Sequence, residues 1–274
     1  MTSLAAVSEL RRKEFSYGVV KMKDKQKLED MVAIVTGGGR GIGKSIALAF
    51  AAEGANLVVS GRTASLLEQV SQEARQMGAS IIPVPTDVSV EYEVGNMVEQ
   101  AIRTFGKIDI LVNNAGIPGP LELITDISKE AWDEVININL TGAFLCSRAV
   151  LRHMIKRRKG NIINVSSGGG RRGGRVRSLP YNISKFGIEG LTYALALQMK
   201  PYGICVNALR PGIVDTDFHK ESPPEWKVKM RQPDDMKKLA VFLALQTVDT
   251  MTGESVDLRE WEQSIQTNQD TGSV

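Results

Sequence analysis

Short apolar runs alternate with longer helical patterns through most of this chain, and that alternation limits the folds it can adopt. The strands predicted from the runs are Val32–Val35, Asn56–Ser60, Ser80–Val84, Ile110–Val112, Asn161–Val165, Ile204–Ala208 and Ser255–Leu258. The predicted helices are Ile42–Ala52, Ser65–Met77, Val90–Phe105, Lys129–Arg157, Tyr181–Met199 and Asp234–Leu245. Strands that are apolar throughout are typical of a parallel sheet covered by helices on both faces. Because crossovers are right-handed, we predict a doubly wound α/β fold with seven parallel strands and a ligand at their carboxyl ends.

The domain organisation follows from where the composition changes. Residues 1–27 are polar and mixed in charge, so we expect a disordered or loosely attached arm. Met22 lies shortly before the first strand and is a candidate start of translation. No low-complexity linker divides the rest of the sequence, and we predict one domain over residues 28–274.

Composition excludes several classes of function. A net charge of +3 is too small to predict nucleic-acid binding, and the basic run Lys156–Lys159 suits a solvated helix end better. No apolar run approaches the ~20 residues of a membrane span. Cys146 and Cys205 lack a C-x-x-C or histidine partner, which argues against a disulfide framework or a metal site. A reducing, cytoplasmic location fits this cysteine usage.

The segment Thr36–Ser45, with the sequence TGGGRGIGKS, predicts a phosphate-binding loop of one of two kinds. From Gly38 it matches the G-x-x-x-x-G-K-[ST] loop that binds nucleoside triphosphates. From Gly37 it matches a T-G-x-x-x-G-x-G turn that binds dinucleotides. Both place backbone N–H groups and a helix N-terminus against a phosphate.

An acidic residue at the end of a buried strand would be needed to hold Mg²⁺ at a triphosphate site. None of the predicted strands ends in an acid, and Asp109 precedes its strand, at the wrong edge of the sheet. Lys44 is then an exposed residue in the first turn of a helix. The dinucleotide interpretation is therefore favoured.

Further motifs follow the later strands in a recognisable order. They are Asn113-Asn114-Ala115-Gly116 after the fourth strand, Asn139-Leu140-Thr141-Gly142 in the long helix, Ser166-Ser167 after the fifth strand, Tyr181-Asn182-Ile183-Ser184-Lys185 at the next helix, and Pro211-Gly212 with Thr216 after the sixth strand. Together with the glycine loop, these motifs resemble the short-chain dehydrogenase/reductase family over roughly Leu28 to Leu258. The resemblance implies a single Rossmann-type domain and a redox function.

Tyr181 and Lys185 are four residues apart and share one face of a helix. A free tyrosine has a pKa of about 10, and a neighbouring ammonium stabilises the phenolate. The resemblance implies that Tyr181 exchanges a proton with the substrate oxygen and that Lys185 binds the nicotinamide ribose. It also implies that Ser167 hydrogen-bonds the substrate oxygen and that Asn139 supports a water-linked proton path.

Basic residues near the adenosine end favour NADP(H), with NAD(H) as the alternative. No acid follows the second strand to accept hydrogen bonds from the ribose, whereas Arg62 lies there and Arg40 lies in the glycine loop. Two guanidinium groups suit a 2′-phosphate. The cofactor-binding residues implied by the resemblance are Gly37, Arg40, Gly41, Ile42, Gly43, Arg62, Asp87, Val88, Asn114, Ala115, Gly116, Tyr181, Lys185, Pro211, Gly212 and Thr216.

The sequence therefore predicts an NADP(H)-dependent enzyme that interconverts a ketone or aldehyde and an alcohol. The glycine- and arginine-rich run Gly168–Arg177 favours an anionic substrate or a 3-oxoacyl thioester. An NAD(H)-dependent sugar, polyol or secondary-alcohol dehydrogenase is one alternative, and a catalytically retired dinucleotide-binding scaffold is another. The helices Lys129–Arg157 and Tyr181–Met199 offer apolar faces for a homodimer or homotetramer.

Overall fold

Seven parallel strands form one sheet in the order β3-β2-β1-β4-β5-β6-β7. This computed structural model describes residues 26–170, 178–219 and 230–271. The strands are β1 Val32–Thr36, β2 Asn56–Gly61, β3 Ile81–Pro85, β4 Ile110–Asn113, β5 Gly160–Val165, β6 Ile204–Arg210 and β7 Ser255–Asp257. The doubly wound fold with a parallel sheet, predicted from the alternating pattern, is confirmed.

Eight α-helices connect or follow the strands within the described residues. They are α1 Gly41–Ala52, α2 Ala64–Gln76, α3 Glu91–Phe105, α4 Lys129–Ile136, α5 Gly142–Arg157, α6 Leu179–Met199, α7 Met236–Ala244 and α8 Leu258–Thr271. Short 3₁₀ turns lie at Gly168–Gly170, Lys200–Tyr202, Asp217–His219 and Pro233–Asp235. None of the helices in the described part of the chain is long and apolar enough to cross a membrane.

The core lies on both faces of the sheet because alternate residues of each strand point to opposite sides. On β1, Ala33 and Val35 pack against α1, α2, α7 and α8, with Phe50 of α1 fully buried among them. Ile34 points the other way and packs with α3 and α5 around Met97. Both faces of the central strands are thus buried against helices, as their unbroken apolar runs predict.

Two helical regions differ from the prediction. The single helix predicted over Lys129–Arg157 is interrupted by a π-helical segment at Asn137–Thr141, which separates α4 from α5. The helix α8 was missed, and residues 255–258 were assigned to a strand that ends at Asp257. Its buried residues Leu258 and Trp261 are three positions apart, so a helical signal was present in the sequence.

The strand order reverses between β1 and β4, and this reversal opens a crevice at the carboxyl ends of both strands. Asp109 lies at the opposite edge of the sheet. Its carboxylate accepts hydrogen bonds from the backbone N–H of Val32 at 3.0 Å and from Arg157 at 2.7 Å. The expected position of Asp109, away from the glycine loop, is confirmed.

Candidate active site

A cleft of about 580 Å³ lies at the carboxyl ends of the strands, along the crevice where the strand order reverses. Nearly all of the residues implied to bind the cofactor line it, together with three of the four candidate catalytic residues. These residues are Gly37, Arg40, Gly41, Ile42, Arg62, Asp87, Val88, Asn114, Ala115, Gly116, Ser167, Tyr181, Lys185, Pro211, Gly212 and Thr216. Gly43 and Asn139 lie behind this lining.

The glycine loop turns tightly from β1 into α1, and close backbone contacts explain its composition. Gly37 has a φ of +63° and Gly41 a φ of +54°, a region that favours glycine. A Cβ atom on Gly43 would lie 2.3 Å from the carbonyl oxygen of Gly37. Gly43 therefore lets α1 start directly against the loop. The first N–H groups of α1 have no helical partner and suit the pyrophosphate of a dinucleotide.

Thr36 and Asn114 hold this loop against the end of β4. The Thr36 hydroxyl donates to the carbonyl of Val112 at 3.1 Å and accepts from the N–H groups of Asn114 and Ala115. The Asn114 amide donates to the carbonyls of Thr36 at 2.9 Å and Gly37 at 3.2 Å. These hydrogen bonds of Thr36 and Asn114 fix the floor of the cleft. The glycine loop and the first turn of α1 together form a concave site that fits a dinucleotide.

Asn113, the residue before Asn114, faces the interior instead of the cleft. Its amide donates to the side chain of Asn164 on β5 at 2.8 Å, and Asn164 in turn donates to Thr192 of α6 at 2.9 Å. This buried chain of hydrogen bonds joins β4, β5 and α6. It fixes the distance between the glycine loop and the helix that carries Tyr181.

At the adenosine end of the cleft, the two predicted arginines have different surroundings. The Arg40 guanidinium pairs with the Asp217 carboxylate at 2.5 Å, and both side chains are largely exposed. Arg62 is exposed and makes no salt bridge within the described parts of the chain. Burial opposes ionisation of Asp87, but hydrogen bonds from Ser89 and the positive field of Arg62 hold its pKa below the ordinary value.

Lys44 points away from the cleft. Its ammonium pairs with Glu73 of α2 at 2.7 Å, and both side chains are more than one third exposed. The expectation that Lys44 is an exposed residue in the first helical turn agrees with this position. A triphosphate-binding lysine would have to face the loop.

At the other end of the cleft, Tyr181 and Lys185 lie one turn apart on α6. The Lys185 ammonium is 5.6 Å from the centre of the Tyr181 ring and donates to the carbonyl of Val165 at 2.8 Å. Lys185 is 5% exposed. Burial lowers its pKa to about 8, and the negative charge of Glu189 partly opposes that shift. The ammonium is thus present at neutral pH and is lost as the pH rises through about 8.

Asn139 is buried behind the cleft, in the π-helical segment. Its side chain accepts from the backbone N–H of Ile117 at 2.8 Å and donates to Ile117 at 3.0 Å and to Ser184 at 3.2 Å. The Ser184 hydroxyl donates to the carbonyl of Tyr181 at 2.7 Å. Asn139 therefore braces the first turn of α6 against the segment after β4, and its proton-path role stays a prediction.

Ser167 follows β5 and lines the cleft on the same side as Tyr181. The arginine-rich run lies mostly outside the described residues, since its Arg171–Arg177 part is not described. The expectation that this run binds an anionic substrate stays a prediction. The other wall is formed by the segment after β6, where the Phe218 ring meets the Tyr181 ring edge-on at 6.0 Å between centres.

Sequence reasoning missed three residues that shape the site. Thr36 was noted only as part of the glycine motif, and Ser184 only as part of the tyrosine motif, although both connect separate elements. Asp217 gave no signal at all, because its partner Arg40 is 177 positions away. Contacts at such separation do not appear in local patterns.

The glycine cradle and the tyrosine–lysine pair share one cleft, which places the chain among the dinucleotide-binding α/β proteins. Its family follows from sequence comparison. The family model of the short-chain dehydrogenases matches residues 31–227. This chain belongs to that family, as the motifs predicted.

Curated relatives and solved structures agree with this assignment. The chain is 35% identical over 236 residues to the (2S)-[(R)-hydroxy(phenyl)methyl]succinyl-CoA dehydrogenase subunit BbsD of Thauera aromatica, covering 83% of this chain and 94% of the relative. It is 32% identical over 241 residues to the 3-oxoacyl-[acyl-carrier-protein] reductase FabG of Thermotoga maritima, covering 85% and 97%. NAD⁺-bound xylitol dehydrogenase superposes with a TM-score of 0.79 at 30% identity, covering 84% and 98%.

These findings define the general activity. The chain is an oxidoreductase that acts on CH–OH or C=O groups and binds a nicotinamide dinucleotide.

Proposed function

We propose that this protein is an NADP(H)-dependent reductase that interconverts a ketone or aldehyde and an alcohol, with Tyr181 as general acid and base. The observation that carries the proposal is the position of the buried Lys185 side-chain nitrogen 5.6 Å from the centre of the Tyr181 ring, at one end of the dinucleotide cleft. A buried ammonium beside a phenol stabilises the phenolate, which a proton-transfer step requires.

In reduction, the Tyr181 hydroxyl donates its proton to the carbonyl oxygen of the substrate, and in oxidation the phenolate takes that proton back. When bound, a nicotinamide dinucleotide would supply the hydride to the substrate carbon in reduction and accept it in oxidation. Ser167 donates a hydrogen bond to the same substrate oxygen and orients it toward Tyr181. Lys185 stabilises the phenolate and holds the nicotinamide ribose, and Asn139 supports the return of the proton from solvent.

The proposed preference for NADP(H) rests on Arg62. Its guanidinium is exposed at the end of β2, beside Asp87, where no acidic residue follows the strand to repel a 2′-phosphate. Arg40 supports the same preference from the glycine loop. NAD(H) is the alternative, because Arg40 is already paired with Asp217 and a solved neighbour of similar fold is an NAD⁺-bound xylitol dehydrogenase.

For the substrate, we propose a 3-oxoacyl thioester or another anionic carbonyl compound. Two curated relatives act on thioesters by their names, one a dehydrogenase of a succinyl-CoA derivative and the other a 3-oxoacyl-[acyl-carrier-protein] reductase. The arginines of the 168–177 run would supply the positive charge that such carriers need. A polyol or secondary-alcohol substrate is the alternative that the xylitol dehydrogenase neighbour favours.

The test is an absorbance assay at about 340 nm, the band of the reduced nicotinamide. The purified protein is mixed with NADPH or NADH and with a panel of carbonyl compounds that includes 3-oxoacyl thioesters, simple ketones and sugars. We expect turnover with NADPH, fastest with an anionic thioester. Cofactor binding without turnover on the whole panel would instead support a retired scaffold.

We also propose a homodimer or homotetramer in the cytoplasm. Large apolar side chains are exposed on α5 and α6, namely Phe144, Phe186, Tyr193 and Leu197. Such a face suits burial against a second copy. Both cysteines are buried and free, which suits a reducing compartment. A monomeric mass in light scattering at micromolar concentration would argue against the assembly, and fractionation of cells would test the location.

A further inference from the structure

The end of β5 and the middle of α6 enclose a small polar cluster around one side chain that has no role in the proposed reaction. Its centre is Glu189, whose carboxylate accepts a hydrogen bond from the Ser166 hydroxyl. Ser166 is 2% exposed and immediately precedes Ser167. The Lys185 ammonium lies in the same cluster and donates to the carbonyl of Val165.

The spacing on α6 explains why these groups share one side of the helix. Tyr181, Lys185 and Glu189 occupy positions i, i+4 and i+8, which form a row along one face. The row therefore presents a phenol, an ammonium and a carboxylate in succession. The phenol faces the cleft, and the carboxylate faces the turn that follows β5.

The ammonium in the middle of this row is the group that burial disfavours. Within the described residues, the elements packed around it contribute the Val165 carbonyl from the end of β5 and, through Ser184, the Asn139 amide from the π-helical segment. Tyr181 is the titratable neighbour on α6. Glu189 is the charged side chain whose field favours the ammonium. Without that negative charge, Lys185 would lose its proton at a lower pH.

Glu189 also contacts the turn that carries Ser167. Ser166 hydrogen-bonds through its N–H to the carbonyl of Leu209 on β6 and through its hydroxyl to Glu189 on α6. These two contacts fix the residue before Ser167 from both sides. A Cβ atom on Gly170, at the far end of this turn, would lie 2.8 Å from the carbonyl oxygen of Lys185, so the turn is packed directly on α6.

We propose that Glu189 is a positioning residue for the active site. Its charge favours the protonated form of Lys185, and its carboxylate oxygen accepts from Ser166 and thereby fixes the turn that carries Ser167. The proposal rests on the proposed function in one respect, since it assumes that the reaction needs the Lys185 ammonium. The electrostatic coupling of Glu189 to Lys185 does not depend on that assumption and is measured separately.

Two variants separate the charge of Glu189 from its hydrogen bond. Glu189→Gln removes the charge but keeps an oxygen that accepts from Ser166, whereas Ser166→Ala removes the hydrogen bond and keeps the charge. Glu189→Asp restores the charge on a shorter side chain. Melting temperature and far-ultraviolet circular dichroism identify any variant that fails to fold, and the comparison then uses the folded ones.

The first measurement is the titration of Lys185 in the protein without cofactor, by the chemical shift of its ¹³C-labelled ε-carbon, assigned through its loss in Lys185→Arg. We expect Glu189→Gln to lower the midpoint by about one pH unit, and Ser166→Ala and Glu189→Asp to leave it close to wild type. An unchanged midpoint in Glu189→Gln would overturn the proposal.

The second measurement is the pH profile of kcat/KM for the best substrate of the carbonyl panel. We expect its alkaline limb to move down by the same interval in Glu189→Gln and to be restored in Glu189→Asp. A shifted Lys185 midpoint with an unmoved alkaline limb would leave the coupling intact and would refute the proposed use of the ammonium in the reaction. The two failures are therefore distinguishable.

Discussion

At the catalytic end of the cleft, Lys185 is 5% exposed, and its ammonium donates a hydrogen bond to a backbone carbonyl. At the adenosine end, where the 2′-phosphate of NADP(H) would bind (the phosphate end), the Arg40 side chain is 67% exposed and pairs with the exposed Asp217. The first end is built from a helix and a strand end that hydrogen bonds join through the core. The second is built from loops that face water. The same cleft therefore combines one end that is fixed by buried hydrogen bonds with another end whose charged side chains are exposed to water.

This difference predicts how each end responds to change. Charges in a buried, water-poor environment interact strongly, so the loss of one charged group there causes a large change in the reaction rate. Exposed charges are screened over about 8 Å at physiological salt, and an exposed ion pair contributes only ~0–1 kcal/mol. Mutations at the catalytic end should thus outweigh those at the phosphate end.

The largest effect is expected for Tyr181→Phe. The substitution keeps the ring against Phe218 but removes the proton that the reaction transfers. We expect kcat to fall by about 10²–10⁴-fold, with a much smaller change in the Kd for NADPH. Turnover is measured by absorbance of the reduced cofactor, and binding by fluorescence titration. Wild-type turnover in this variant would contradict both the mechanism and the contrast between the two ends.

A smaller, cofactor-specific effect is expected at the two arginines. Arg62→Ala should raise the Kd for NADPH by about ten- to a hundredfold, because a hydrogen bond to a charged group is worth about 1.5–3 kcal/mol. Arg40→Ala should cost less, since Arg40 must first leave Asp217 to reach a phosphate.

NADH is the control for both arginine variants, because it lacks the 2′-phosphate, and its Kd should not change. Asp217→Asn is the matched variant, which frees Arg40 and should tighten NADPH binding severalfold at low salt. Equal losses for NADPH and NADH in Arg62→Ala would show that Arg62 does not read the phosphate. A larger effect at Arg40 than at Arg62 would reverse the expected order.

The success of the sequence prediction also differs between local and distant features. The strands, the glycine turn and the Tyr181–Lys185 spacing are set by residues within a few positions of one another, and the family match and the sheet topology confirm what they predicted. The local pattern did not predict the π-helical segment at Asn137–Thr141. Its best-defined contacts are the bonds of Asn139 to Ile117 and Ser184, which lie 22 and 45 positions away.

The helix α8 was missed for a different reason. It contains apolar residues at helical spacing, namely Leu258, Trp261 and Ile265, but it directly follows the short strand β7, and its first residue was assigned to that strand. The Arg40–Asp217 pair could not be predicted, because ion pairs on exposed loops depend on the path of the whole chain. Local patterns thus predict the fold and the family well, and they do not predict the ion pair between Arg40 and Asp217.

The smallest effect on NADPH binding is expected for Lys44→Ala. This variant tests whether Lys44 belongs to the phosphate-binding site. Lys44 belongs to the same glycine segment as Arg40 and completes a triphosphate-loop pattern in the sequence. Its ammonium pairs instead with Glu73 of α2, and neither residue lines the cleft. Removal of this half-exposed pair should lower the free energy of unfolding by ~0–1 kcal/mol and leave the Kd for NADPH unchanged. Calorimetry and fluorescence titration measure the two quantities, with Arg75→Ala on α2 as a control of similar exposure. A large loss of NADPH affinity in Lys44→Ala, without such a loss in Arg75→Ala, would mean that Lys44 turns toward the phosphates. The phosphate-binding site would then include the first turn of α1 as well as the glycine loop.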